Sequence, residues 1–233
     1  MATTAVCNSW KVEAMAAGHC FYATQASVAV TNTSGQATLT GMASTAGIAV
    51  GMAVTGTGAP AGAIVKSVDS ATQVTMSAVS TSSMTSATFT ADIFKMLLIK
   101  VSPTRTFDGT QTNVGTPGTG TPSATNVGTD ETSGTGYTSG GTTLTNVSPS
   151  LPGNPTTTAT ISFSPNPSWT SASFSATAGI IYNSSSRLGA ATAPLSGRTV
   201  EVLDFGGTQT VSSGTFTVLF PVNDGSNAVL RIA

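Results

Sequence analysis

His19 is the residue at which nucleophilic catalysis or metal binding could begin, because Cys20 follows it and Cys7 lies twelve residues earlier. A zinc site or an activated thiol needs further ligands or a base nearby. The chain has a single histidine, no CxxC pair and no carboxylate motif beside His19. We therefore expect His19 to be packed or to cap a helix, and we predict no metal site.

The carboxylates in the strand-rich regions offer a second chemistry, either as an acid and base pair or as calcium ligands. Glu201 and Asp204 are three residues apart on one predicted strand, so their side chains point to opposite faces and do not converge. Asp130 and Glu131 lie in the other such region. Solvent-exposed charges are the expected interpretation for all four.

The segment GTGYTSGGTTLT, residues 134–145, is called the glycine loop below. It lacks the lysine and the strand-to-helix context of a phosphate-binding loop. Its glycines are therefore predicted to form turns that lead into a strand, and Tyr137 to be a packing aromatic. The sequence thus predicts no catalytic residues and no cofactor, so the chain is not expected to be an enzyme.

Charge excludes one further class of function. Charged residues make up 7% of the 233 residues, and the net charge is -1. No basic face is available to neutralise phosphates, so nucleic acid is not an expected partner.

The longest apolar run, residues 93–101, is interrupted by Lys95 and Lys100 and is too short to span a bilayer. Two cysteines at this length are typical of free thiols in a protein made in a reducing cytoplasm.

Secondary-structure signals are mostly those of strands. Asn8 or Ser9 can cap a short N-terminal helix, with Trp10, Ala14 and Ala17 on one face and Gly18 to end it. Trp10 would dock this helix onto a larger surface. Elsewhere apolar residues alternate with polar or small ones, as from 216 to 220 and from 228 to 232, and residues 92–99 indicate a central strand. We predict an all-β fold with an antiparallel, jelly-roll-like β-sandwich core.

A series of short motifs occurs in an order that is typical of one family. The chain resembles tailed-bacteriophage virion proteins, which typically contain NSFK with an acidic residue, GxHxF, a DTFKVAL strand, GTGYTAGG, a Trp, AVLYND, a DFG-like strand and a closing GxLxL. The matching positions here are Asn8, Ser9, Trp10, Lys11, Glu13, Gly18, His19, Phe21, Asp92, Phe94, Lys95 and Leu97, then GTGYTSGG, Trp169, GIIYN (179–183), VEVLDFGG (200–207) and the terminal GSNAVLRIA.

The resemblance implies a domain map. In the family GxHxF and the DTFKVAL strand are close together, whereas here about seventy residues separate them. Residues 1–22 plus 92–233 are therefore predicted to form the core β-sandwich domain, and residues 23–91 an inserted small β module. Asn183 is followed by Ser184 where the family often has Asp and Thr, which affects loop contacts rather than the fold.

The resemblance also implies a function. A virion structural protein is expected, and by association a decoration or cement protein on the capsid surface, with the major capsid protein and further copies of itself, as a homotrimer, for partners. A tail- or fibre-associated protein whose inserted module binds the host surface is the alternative. Expected packing or interface residues are Trp10, Tyr137, Trp169, Tyr182 and Phe205.

Overall fold

The computed structural model describes residues 1–15, 18–152, 158–185 and 196–232. The predicted N-terminal helix is present as α1 (Asn8–Met15), and Ala17 lies outside the described residues. In chain order the strands are β1 (Ala5–Val6), β2 (Gln25–Asn32), β3 (Thr38–Leu39), β4 (Ala53–Thr55), β5 (Val65–Ser70), β6 (Gln73–Met76), β7 (Met84–Thr90), β8 (Phe94–Ile99), β9 (Thr142–Leu144), β10 (Asn146–Ser150), β11 (Ala159–Phe163), β12 (Ser168–Asn183), β13 (Arg198–Thr217) and β14 (Leu230–Ile232).

The largest sheet has the strand order β1-β13-β12-β8-β9, and its neighbouring strands are antiparallel. β12 and β13 pair from Ser168↔Thr217 to Asn183↔Arg198, while β8 covers only the Ala178 to Asn183 part of β12. β8 is almost wholly buried. Its apolar sequence is typical of a strand that is covered on both faces. The predicted central strand is thus found between β12 and β9.

A second sheet, β10-β11-β14, packs on the first. Phe163 of β11 meets Phe94 of β8 at a ring-centroid distance of 5.7 Å, and Phe21 stacks on Phe94 at 4.2 Å. Burial of each such side chain stabilises the fold by roughly 1.5–3 kcal/mol. The apolar core lies between these sheets, so the predicted all-β, sandwich-like fold is confirmed.

Strands β2 to β7 form two small sheets of their own, β2-β7-β4 and β3-β6-β5. Their buried residues, among them Leu39, Met52 and Phe89, form a hydrophobic cluster separate from that of the large sheet. The two ends of this segment meet, because Cys20 N donates to Asp92 Oδ2 (2.8 Å) and Asp92 N donates to the Cys20 carbonyl (3.0 Å). The division into residues 1–22 plus 92–233 and an inserted module at 23–91 stays a prediction.

Candidate functional site

The glycine loop is organised around the side chain of Glu131. This carboxylate is 5% exposed and follows a 3-10 turn at Gly128–Asp130. Its Oε1 accepts hydrogen bonds from Tyr137 Oη (2.8 Å) and Gly140 N (2.6 Å), and its Oε2 accepts one from Ser139 Oγ (2.6 Å). Three donors from one short loop therefore replace the water that a buried carboxylate loses.

Two tyrosines connect the glycine loop to the sheet. The Tyr137 hydroxyl accepts a hydrogen bond from Leu98 N in β8 (3.0 Å), and the Tyr182 hydroxyl donates to the Gly140 carbonyl (2.7 Å). Burial, together with the nearby Glu131 carboxylate, raises the pKa of Tyr182 to about 12 and that of Tyr137 still further. Both hydroxyls therefore stay protonated and serve as structural hydrogen-bond groups.

Gly141 shows why the loop needs glycine. Its φ of +71° lies in the left-handed region, and a Cβ at this position would overlap the Met96 carbonyl in β8. Thr142, the next residue, pairs with Met96 and begins β9. The loop therefore turns against the sheet and leads into a strand, as the sequence predicts.

Three of the five predicted packing or interface residues lie in or against this loop, and Phe205 is connected to them through Phe216. Tyr137 stacks on Trp169 with centroids 6.2 Å apart, and Trp169 and Phe205 lie 5.9 and 6.2 Å from Phe216. Tyr182 joins through its bond to Gly140. Trp10 lies elsewhere and packs edge-on against Phe21 at 6.2 Å. The structure shows packing for all five, and their role in an interface stays a prediction.

His19 is enclosed in a polar network. Its side chain is fully buried, with Nε2 2.8 Å from Glu13 Oε2 and Nδ1 accepting from Asn183 Nδ2 at 3.0 Å. Glu13 also pairs with Arg198 Nη1 at 2.9 Å. A packed histidine was expected, and the sequence did not single out Glu13 as its partner. The network connects α1 to the paired ends of β12 and β13.

The expectation that the four acidic residues are solvent-exposed is wrong for three of them. Asp204 is exposed, but Asp130, Glu131 and Glu201 are buried. Burial alone would raise the pKa of Asp130, yet hydrogen bonds from Thr104 and the Lys100 ammonium at 3.0 Å hold it below its usual range. Each buried acid therefore has its own local environment, which the spacing of residues along the chain does not reveal.

Glu201 differs from the other two because, among the described residues, one of its oxygens has neither a hydrogen-bond donor nor a cation beside it, whereas Asp130 Oδ1 has the Lys100 ammonium. Glu201 is 5% exposed, and burial raises its pKa to about 8. It lines a cavity of about 460 Å³ with Val6 and Arg231. An adjoining groove of about 400 Å³ between α1 and β14 is lined by Trp10, whose buried Nε1 also has no partner.

The described residues offer no obvious reaction centre. Among them, no group of three or more His, Cys, Asp or Glu side chains is placed to hold a metal ion. Cys7 and Cys20 are both buried and are not joined in a disulfide, and burial raises the pKa of the Cys7 thiol to about 11. Both observations indicate that these side chains contribute to packing.

No protein-family model, curated protein or solved structure matches this chain. In the described ranges, no helix has the length and apolar character needed to cross a bilayer. Function is therefore inferred from the motifs, the contacts above and the surface.

Proposed function

We propose that this chain is a structural protein of a bacteriophage virion, and specifically a decoration protein that binds the outer surface of the major capsid lattice and stabilises the head. The ordered series of motifs carries this proposal. In the structure the motif residues stabilise the fold. The glycine loop donates hydrogen bonds to Glu131, and Tyr182 of β12 donates a hydrogen bond to the loop. These contacts support a structural role.

His19 and Glu131, two side chains that could act as an acid or a base, are engaged in hydrogen bonds within the protein, which supports the proposal that the chain is not an enzyme. His19 is fully buried between Glu13 and Asn183, and Glu131 is saturated with donors. A general acid or base must reach a substrate proton. These groups are instead bonded to the protein itself.

The surface supports lasting contacts with other chains. The sequence carries few charges, which leaves little repulsion between neighbouring copies. Several large apolar side chains are exposed, including Leu151 (59%), Leu219 (76%) and Val222 (72%). Contacts of this kind with the major capsid protein and with further copies would be individually modest, and repetition over a lattice would add avidity.

The alternative is a tail- or fibre-associated protein that binds a host glycan through residues 23–91. Sugar recognition commonly uses an exposed aromatic face, and Phe89, the one Trp, Tyr or Phe in strands β2 to β7, is fully buried. The head is therefore the preferred location. Hundreds of copies per particle would agree with decoration, whereas a few copies would agree with the tail.

A stability assay on particles tests the decoration role. Virions assembled without this protein should lose their genome at a lower temperature and after milder osmotic shock than complete virions. Adding back the purified protein should restore resistance, and adding an unrelated β-sandwich protein should not. Equal resistance of complete and deficient particles would contradict a cementing role.

A further inference from the structure

The open space beside β14, called here the β14 groove, is shaped like a binding groove, and polar atoms next to it lack hydrogen-bond partners among the described residues. It is floored by Val6, Trp10, Ala14, Leu230 and Ile232, and Lys11 and Arg231 stand on its rim. β14 is the edge strand of its sheet, so one side of its backbone is free. Three consecutive residues of β14 line the groove, which therefore runs along this free edge.

Two buried polar atoms beside this path lack partners. Trp10 is 5% exposed and its Nε1–H has no acceptor, while Glu201 Oε2 has no donor. The Glu201 cavity shares Val6 and Arg231 with the β14 groove, so the two spaces adjoin. A buried donor or acceptor without a partner is unfavourable, because it has lost its hydrogen bonds to water. One extended backbone, which carries both N–H and C=O groups, could satisfy both.

A segment of this same chain offers such groups together with exposed apolar side chains. Residues 218–222 belong to no strand, and they expose Leu219 and Val222, which are 76% and 72% exposed. In the described part of the chain, neither the N–H nor the carbonyl of Leu219 has a hydrogen-bond partner. Asp224 follows, and its acidic group complements the cationic rim of the groove.

We propose that residues 218–222 of a second copy of this chain occupy the β14 groove, with a backbone carbonyl accepting the Trp10 Nε1–H and Leu219 packing on Ile232. Within one chain Asp224 lies near enough to Arg231 for the two charges to interact, so segment and groove border each other. Each copy thus presents both halves of the contact, and reciprocal or cyclic pairing fills every groove. This contact between copies does not depend on the proposed function.

Light scattering after size exclusion, together with analytical ultracentrifugation, tests the contact on the purified full chain. The wild type should be oligomeric, and Leu219→Asp and Ile232→Asp should each weaken self-association by about tenfold or more. Trp10→Phe keeps most of the ring but removes the N–H, and should weaken it several-fold. Val50→Asp is the matched control, because Val50 is also exposed (55%) but lies far along the chain in the 23–91 segment. It should leave the mass unchanged.

Two further measurements guard against misfolded variants. A synthetic peptide of residues 217–224 should dissociate wild-type oligomers, whereas a scrambled peptide should not. A photocrosslinker at position 232 should join residues 218–224 of the other copy in mixtures of isotopically labelled and unlabelled chain. A monomeric wild type, an unchanged Ile232→Asp oligomer, or crosslinks to other positions or to another virion protein would overturn the proposal.

Discussion

At the scale of single residues, two buried glutamates have opposite surroundings. Glu131 accepts three hydrogen bonds from the glycine loop, whereas Glu201 Oε2 accepts none. Both are 5% exposed. The three donors replace the water that Glu131 loses on burial, whereas burial disfavours the charged form of Glu201, because only hydrogen bonds or opposite charges offset desolvation.

Removing the Tyr137 hydroxyl tests the structural role of the glycine loop. Tyr137→Phe keeps the stack on Trp169 but leaves Leu98 N–H and Glu131 Oε1 each short of one partner. We expect the free energy of unfolding to fall by about 1–3 kcal/mol in chemical denaturation.

Tyr22→Phe is the matched control for that variant, because no hydrogen bond of the Tyr22 hydroxyl occurs in the described part of the chain. It should change stability by less than about 0.5 kcal/mol. Equal stability of Tyr137→Phe and wild type would show that the glycine loop does not stabilise the fold through these hydrogen bonds.

Glu201 makes a prediction about pH. Its carboxyl has a pKa of about 8 in the folded chain against a reference value of 4.5, so the folded state holds more protons between these values. The free energy of unfolding should therefore fall as pH rises through that window, by at most about 1.4 kcal/mol per pH unit. Cys7 and Arg231 are the other titratable groups near it.

Glu201→Gln should flatten this part of the pH profile and be more stable than wild type at pH 8. Asp204→Asn, at an exposed position of the same strand, should keep the wild-type slope. The measurement is urea denaturation from pH 5 to pH 8 at a fixed low protein concentration. Parallel profiles for Glu201→Gln and wild type would show that Glu201 ionises normally.

At the scale of elements, the left-handed glycine before β9 fixes how the loop meets the sheet. Gly141→Ala would place a methyl group into the Met96 carbonyl, whereas Gly206→Ala has a similar φ (+72°) and open space. Both substitutions incur the left-handed penalty of about 1–2 kcal/mol. We expect Gly141→Ala to cost about 2 kcal/mol more, measured as the difference in unfolding free energy between the two variants. Equal losses would show that the sheet accommodates the methyl group.

Much of this element level could be predicted from the sequence. Helix α1, the central strand β8 and the turn before β9 follow from capping residues, apolar runs and glycine spacing. The contacts that give the site its chemistry could not be predicted, because they join distant positions. His19 meets Asn183 across 164 residues, and Glu201 is buried although it is an acidic residue in an alternating strand. The alternation of apolar and polar residues indicates the face of a strand on which a residue lies, but it does not show what packs against that face.

At the scale of the whole molecule, alternation was sufficient to predict a β-sandwich because its two sheets must bury one face each. The pairing of sheets depends on long-range contacts such as Phe94 with Phe163. Strands β2 to β7 have their own buried cluster, and the two ends of that segment are joined at Cys20 and Asp92. This arrangement would allow a sandwich to bind a lattice while the additional sheets project from it.

An image reconstruction of the virion at moderate resolution would give the copy number and the position of this protein together. We expect hundreds of copies on the outer face of the capsid lattice, with the sandwich against the shell and residues 23–91 pointing away from it. Density restricted to a few copies at the tail, or absent from the particle, would contradict it.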